Sequence, residues 1–290
     1  MKADLHLHSN YSDGSDDLKS LIEAIKSAKL DIFALTDHDT IEGCVEMSEL
    51  VPSSIKFIPS IELTCLADDI KCHILGFNCN PKDSTMTALI EKGKKLRRIK
   101  LDTRVQYLKD TWGIELTKDE HDWLYSRRSV VKTHIANIIV NRGLAENNIL
   151  AMRKYLNGCK AGDTKFEAKE AIDAIVKSGG IPVWAHPLGG EDEEHFSKEE
   201  FIPKLEKMIA FGIKGLECYY SRYNKEEIDF LKSCANEYGL FITGGSDYHG
   251  SNKTVKMAQL NLENTPVNAE NLTLLNELNI MGSSLSILVN

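Results

Sequence analysis

His6 and His8 stand two residues apart in ADLHLHSNYSDG, so on an extended strand both imidazoles leave the same face and can share one ion. The same pairing returns far along the chain in GGSDYHG, where Asp247 and His249 are again two apart. Between these runs Asp13 follows the first in its loop, His38 closes LTDHD, Glu62 lies in SIEL, His73 lies in IKCHILGF and His186 closes WAHP. Imidazoles mixed with carboxylates, without cysteine, suit Zn²⁺, Mn²⁺ or Fe²⁺ better than the all-oxygen shell of calcium. The nine candidates are too many for one ion. At three or four per ion, with one carboxylate bridging, they suit two or three.

Clustered divalent ions lower the pKa of bound water and hold the non-bridging oxygens of a phosphate ester, which supports in-line attack on phosphorus. Metal-assisted amide hydrolysis draws on a similar constellation, and the ligand types alone leave both open. For protonating a leaving group the candidates are Asp37 and Asp39, which flank His38, and His134 in KTHIAN. Asp37 has two readings, a catalytic acid or a partner that orients a histidine. Asp39, just before Thr40, is read as the cap of the next helix.

Donors that follow apolar runs need strands that end together. ADLHL, DIFALTD, IKFIPSIEL, IKCHILGF, GIPVWAHP, IKGLECYY and LFITGGSD read as seven strands. DDLKSLIEAIKSAK, KFEAKEAIDAIVKSGG and NKEEIDFLKSCANEYG read as helices between them, with Leu18, Leu21, Ile22 and Ile25 as one apolar stripe and Gly179 and Gly239 at helix ends. Repeated strand-helix units predict a parallel sheet covered by helices, and seven of them predict an α/β barrel whose functional groups gather at the C-terminal ends of the strands. The rhythm breaks from about 82 to 165, which reads as a helical insertion between a first barrel part, 1–81, and a second, 166–290. The insertion carries the basic run KGKKLRRIK and the pair Arg127 and Arg128. Those cations read either as a solvated helix face or as a patch facing an anionic substrate.

Composition narrows the class. The chain has 290 residues, 42% hydrophobic and 27% charged, with a net charge of −8 that argues against nonspecific nucleic-acid binding over the whole surface. Seven cysteines without a C-x-x-C pair read as buried thiols. No apolar stretch is long enough to span a membrane and no leader precedes Asp4, which predicts a cytoplasmic protein; neither a membrane nor a protein partner is implied.

In this order, DLHLHSNYSDG, ALTDHDTIEG, SIEL, HILGF, AHP and GSDYHG resemble the signature of the PHP family of metal-dependent phosphoesterases, named for its members in polymerases and histidinol phosphatases. The resemblance extends to about Gly250 and implies a distorted (β/α)7 barrel, which agrees with the strand count. Position by position it implies one metal held by His6, His8, Glu62 and Asp247, a second by Asp13, His38 and His249, and a third by Glu62, His73 and His186, with Glu62 bridging the first and third. Asp13 stands where some members carry histidine, a change that bears on metal preference. The resemblance, more than the ligands, favours phosphate esters over amides.

The insertion, with KTHIANIIVNRG and MRKYLNG, resembles the branch acting on nucleoside 3′,5′-bisphosphates and short RNA 5′ ends, where an Arg-Thr-His motif in the cap contacts phosphate. Lys132 occupies the arginine position here and His134 the histidine position. Lysine attracts phosphate as a point charge but lacks the bidentate fork. His134 also admits a plain helix-packing role. Arg222, in YYSRYN, reads either as a cation for a second phosphate or as a solvated loop tip. A related branch opens cyclic sugar or nucleotide phosphates, and the pair Tyr219 and Tyr220 would suit a sugar or base, or strand-end packing. The expectation is a phosphoesterase of small nucleotides or sugar phosphates, the bisphosphate-type monoester preferred. A cyclic phosphodiesterase, a 5′-3′ exonuclease on short RNA and a metal-stabilised nucleotide-binding module are the alternatives.

Overall fold

In β1 (Ala3–Leu7) every residue is buried, because Leu5 and Leu7 leave one side of the strand while Asp4 and His6 leave the other, and both sides are covered. The computed structural model describes residues 1–68, 70–127, 130–161, 165–191 and 195–280. Beside β1 stand β2 (Ile32–Leu35), β3 (Lys56–Ala67), β4 (Ile70–Phe77), β6 (Ile181–Ala185), β7 (Gly215–Tyr220) and β8 (Phe241–Gly245), in the order β1-β2-β3-β4-β6-β7-β8. A two-residue strand, β5 (Phe166–Glu167), pairs with the outer stretch of β3. These seven strands and their helices make a nearly closed mixed α/β barrel.

Helices form at the three places the patterns give, except that Phe166–Glu167 is a strand, and others form at 42–50 and 198–211. Leu18, Leu21, Ile22 and Ile25 are the buried stripe of α1 (Leu18–Ala28), and the Asp17 side chain caps its start by accepting from Ser20 N. Between β2 and β3 lies α2 (Glu42–Leu50). The insertion comprises α3 (Ser84–Trp112), α4 (Lys118–Tyr125), α5 (Lys132–Asn141) and α6 (Asn148–Ala151), the last running into a π-turn at Met152–Leu156. Around the second barrel part run α7 (Ala168–Lys177), α8 (Lys198–Phe211), α9 (Lys225–Glu237) and α10 (Leu274–Glu277). Gly179 and Gly239 sit just past α7 and α9 with φ of 81° and 65°, the left-handed turn that lets a helix end. Among the described residues no helix is long and apolar enough to cross a membrane.

The sheet departs from the all-parallel expectation at β4, which is antiparallel to both β3 and β6. Only residues 68 and 69 separate β3 from β4, and a parallel pair needs a crossover of about a dozen residues. Glu62 consequently lies within β3, opposite Leu75, because the hairpin carries the strand on to Ala67.

The barrel closes between β1 and β8 through their extensions. Asp247 N donates to His6 O at 2.9 Å and His8 N to Tyr248 O at 3.0 Å. The buried Asp4 carboxylate accepts from Ser246 N at 2.9 Å, Ser246 Oγ at 2.6 Å and Ala258 N at 2.7 Å. Gly245 allows the two backbones to approach, since a Cβ there would collide with the His6 Cβ and come within 2.6 Å of His6 N. Gly245→Ala is therefore expected to lower stability by about 1–3 kcal/mol through overpacking, read from chemical denaturation. A shift near zero would show that the seam yields.

Helices of the insertion bury a hydrophobic cluster of their own, with Leu101, Leu108, Leu124, Ile135 and Ile139 at its centre. The basic run follows its two readings only in part: Lys92 and Lys95 are exposed, but several of its cations are engaged in ion pairs with the barrel. Lys94 pairs with Glu42 of α2 at 2.8 Å, Lys92 with Glu170 of α7 at 2.5 Å, and Arg97 with the buried Asp39. Arg127 reaches the β1–α1 loop, donating to Asn10 O at 2.6 Å, and Arg128 lies outside the described residues. These cations fasten the insertion to the barrel.

Candidate metal centre

β1, β3, β4 and the segments after β1, β2, β6 and β8 bring the nine donors to one cleft. His6 Nε2 lies 3.2 Å from Glu62 Oε2 and 3.6 Å from Asp247 Oδ1, and His8 Nε2 lies 3.2 and 3.3 Å from the same two atoms. Asp13 Oδ1 is 3.1 Å from His249 Nε2, and Asp13 Oδ2 is 3.9 Å from His38 Nε2. Glu62 turns its other oxygen, Oε1, to His73 Nδ1 at 2.9 Å and His186 Nε2 at 3.4 Å. The three implied groups overlap: His8 Nδ1 also lies 3.8 Å from Asp13, and His38 Nδ1 lies 3.1 Å from Glu62 Oε2.

The donor chemistry fits divalent ions. Ligand atoms about 2.1 Å from a tetrahedral ion stand roughly 3.4 Å apart, close to the spacings above. His6 Nε2, His8 Nε2, Asp13 Oδ1, Glu62 Oε2 and His249 Nε2 are buried without a hydrogen-bond partner, a costly state that a shared cation relieves. Burial works against a charged His6 or His8, yet Glu217, Glu62 and Asp247 around them outweigh it and push His8 up to about 9. The carboxylates thus demand positive charge at this spot. Burial keeps His38 and His249 low, so their lone pairs stay available.

Glu217 is part of this arrangement although no motif flagged it. Its Oε1 lies 2.9 Å from His6 Nδ1 and its Oε2 accepts from His186 N at 2.7 Å, so one fully buried carboxylate fixes residues on two strands. The available signal was a lone acid inside the apolar run GLECYY. Glu217→Gln is expected to weaken metal affinity about 10–100-fold, as loss of a histidine-orienting carboxylate does, measured by chelator competition. Unchanged affinity would reduce Glu217 to a packing residue.

Several candidates take other roles. Asp37 is a clasp, not an acid facing the cleft: it accepts from Ser9 N at 2.8 Å, Ser9 Oγ at 2.7 Å and Ser12 Oγ at 2.6 Å, and burial pushes its carboxyl up. Asp39 does not cap α2, whose N-cap is Ile41; with φ of 51° it turns to accept from Thr64 N at 2.8 Å and to pair with Arg97. Lys132 does not line the cleft and pairs with Asn157, with burial and Arg104 pulling its amine down. The wall is formed instead by Thr133 and Asn137, on a different face of α5. Arg222 pairs with Glu191 at the cleft edge. Tyr220 is buried and donates to Asp247 Oδ2 at 3.1 Å, whereas Tyr219 packs outward beneath Lys232.

His134 serves its helix. Its Nδ1 accepts from Val131 N at 3.1 Å, its ring hydrogen-bonds the Ser12 backbone and meets Trp123 edge-on, and burial lowers it from 6.5 to about 4. A histidine depressed in the folded state binds more protons when unfolded, so its stabilisation is complete above pH 6.5 and is lost as pH falls toward 4. The stability advantage of wild type over His134→Gln should shrink by about 3 kcal/mol across that window, in denaturant titrations at each pH. A constant difference would contradict the neutral buried ring.

Residues 4–178 match the PHP domain family, and with this barrel and its donor-lined cleft the chain belongs to that family of metal-dependent phosphoesterases. Among its relatives, a 5′-3′ exoribonuclease of Haemophilus influenzae is 30% identical over 254 residues, covering 86% of this chain and 90% of that one. A 3′,5′-nucleoside bisphosphate phosphatase of Chromobacterium violaceum is 27% identical over 253 residues, covering 85% and 86%. A solved structure from Bifidobacterium adolescentis, assigned as a metal-dependent phosphoesterase, superposes with a TM-score of 0.77 at 25% identity, covering 90% of this chain and 93% of that one.

Proposed function

We propose that the protein hydrolyses the phosphate monoester of a small nucleotide, a nucleoside 3′,5′-bisphosphate before others, using two or three divalent ions of the Mn²⁺, Fe²⁺ or Zn²⁺ type. His6, His8, Asp13, His38, Glu62, His73, His186, Asp247 and His249 would hold them. The observation that carries this reading is the cleft itself, a cavity of about 610 Å³ with Asp13, His38, Glu62, His73, His186, Asp247 and His249 on its barrel wall and Thr133, Asn137, Asn147 and Asn148 from the insertion facing them. That volume suits a nucleotide-sized ligand.

Bound divalent ions would supply a hydroxide at neutral pH and charge for the phosphate oxygens. The chain supplies orientation. Glu217 fixes the His6 ring, Asp37 draws the β1–α1 loop with Asp13 against β2, and Tyr220 holds one oxygen of Asp247 so that the other faces His6 and His8. Residues 82–165 act as a cap whose uncharged amides and hydroxyl meet the sugar and base, between barrel parts 1–81 and 166–290.

A phosphate-release screen with Mn²⁺, comparing nucleoside bisphosphates, cyclic phosphates, sugar phosphates and histidinol phosphate, tests the proposal. Release from a bisphosphate at least tenfold faster than from the others is expected, and no release from it would overturn the reading. The similarity to the Haemophilus influenzae exoribonuclease favours a second reading, cleavage of short RNA from its 5′ end. Successive release of mononucleotides from an end-labelled oligoribonucleotide would select it.

A further inference from the structure

Lys253 is the only lysine or arginine among the described residues that line the metal-centre cavity. Four carboxylates share that lining, Asp13, Glu62, Glu191 and Asp247. Asp13, Glu62 and Asp247 lie among the histidines; Glu191 does not. Lys71, Lys165 and Lys204 line the adjoining pocket that shares His73 and His186, whereas a phosphate dianion entering this cavity meets Lys253 and one carboxylate outside the donor cluster.

The two are already engaged with each other. Lys253 Nζ lies 2.7 Å from Asp247 Oδ2 and 3.8 Å from Glu191 Oε2, and Glu191 Oε1 pairs with Arg222. Lys253 is held firmly at its backbone, because the turn before it is bound to the first loop: Ser251 N donates to Ser15 Oγ at 2.8 Å and Asn252 Nδ2 to Asp13 O at 2.7 Å. Asp247 Oδ2 also accepts from Tyr220 at 3.1 Å, so the carboxylate keeps a partner when the ammonium turns away.

We propose that Lys253 donates to a phosphoryl oxygen of the substrate, and that Glu191 is a placeholder anion holding Lys253 and Arg222 until that phosphate displaces it. The inference rests on the phosphoesterase reading in one respect, that the cleft receives a phosphate group. It assigns the phosphate-binding charge to the loop after β8 instead of to Lys132 of the insertion. A lysine suits the place because three rotatable donors can move from carboxylate to phosphate without the fixed geometry of a guanidinium. Glu191 then sets selectivity, since a ligand with too little negative charge cannot take its place.

The test measures inorganic phosphate binding by calorimetry to Mn²⁺-loaded and metal-free protein, beside Mn²⁺ content. Lys253→Met is expected to keep its Mn²⁺ and weaken phosphate at least tenfold in both forms, with Lys253→Arg recovering part of the loss. Glu191→Gln should bind phosphate at least threefold more tightly, a gain that misfolding cannot produce. Loss of Mn²⁺ in step with phosphate in Lys253→Met would assign Lys253 to Asp247 instead. Wild-type phosphate affinity in that variant, or no phosphate binding by the wild type, would also overturn the proposal. If the wild type binds phosphate through Lys253 yet hydrolyses no ester, the proposed activity fails and this assignment stands.

Discussion

Glu62→Gln is expected to lower turnover by on the order of 10³-fold and to leave the protein short of metal, while its circular dichroism stays that of the wild type. Among the described residues no other side chain touches so many of the donors. Through Oε2 it lies 3.1 Å from His38 and 3.2 Å from both His6 and His8; through Oε1 it lies 2.9 Å from His73 and 3.4 Å from His186. Glutamine keeps the volume, so the packing of β3 against β4 is not disturbed, but it removes the bridging charge. It also turns one acceptor into a donor aimed at imidazoles. Metal content by mass spectrometry and turnover on the best ester are the measurements. Near-normal turnover at full metal content would remove Glu62 from the centre.

Arg97→Met should produce the largest loss of stability of any substitution considered, about 3–5 kcal/mol in denaturant titrations of the metal-free protein. The guanidinium pairs with Asp39, donates to Thr64 Oγ1 at 3.2 Å and to Val130 O at 3.4 Å, and is nearly enclosed, with a side-chain exposure of 14% against 5% for Asp39. Without it Asp39 is left as a buried charge whose backbone N–H supports Glu62 O at 2.8 Å, one residue from His38. Adding Asp39→Asn should return most of the loss, because the amide still accepts from Thr64 N without carrying a charge. Failure of the double variant to recover would mean that Arg97 acts through packing of α3, not through the pair.

The donor set was legible because each member sits at a place where sequence pattern has structural meaning. His6 and His8 alternate on an apolar strand, and His38, His186, Asp247 and His249 follow strand-like runs whose burial leaves little doubt of their direction into the barrel. Strand direction was not legible, since alternation looks the same forward and backward, and only the two-residue link at 68–69 reveals that β4 reverses. Residues defined by a partner were also hidden. Asp39 has the spacing of a helix cap, but Arg97, 58 positions later, determines where its carboxylate goes. Lys253 looks like any loop lysine until the barrel closes and sets it beside Asp247. His134 matched a phosphate-binding pattern by position, while its partners are Val131 at the helix start, Ser12 of the β1–α1 loop and Trp123 of α4.

The contact between β1 and β8 also governs when the centre can exist. On a ribosome adding about 5–20 residues per second, His6 and His8 emerge well over ten seconds before Asp247 and His249 are made. During that interval the nascent chain presents an H-x-H pair, then Asp13, His38 and Glu62, as an incomplete chelate with no second wall. A complete set of donors is accordingly a property of the finished barrel, assembled only when its last strand docks against its first.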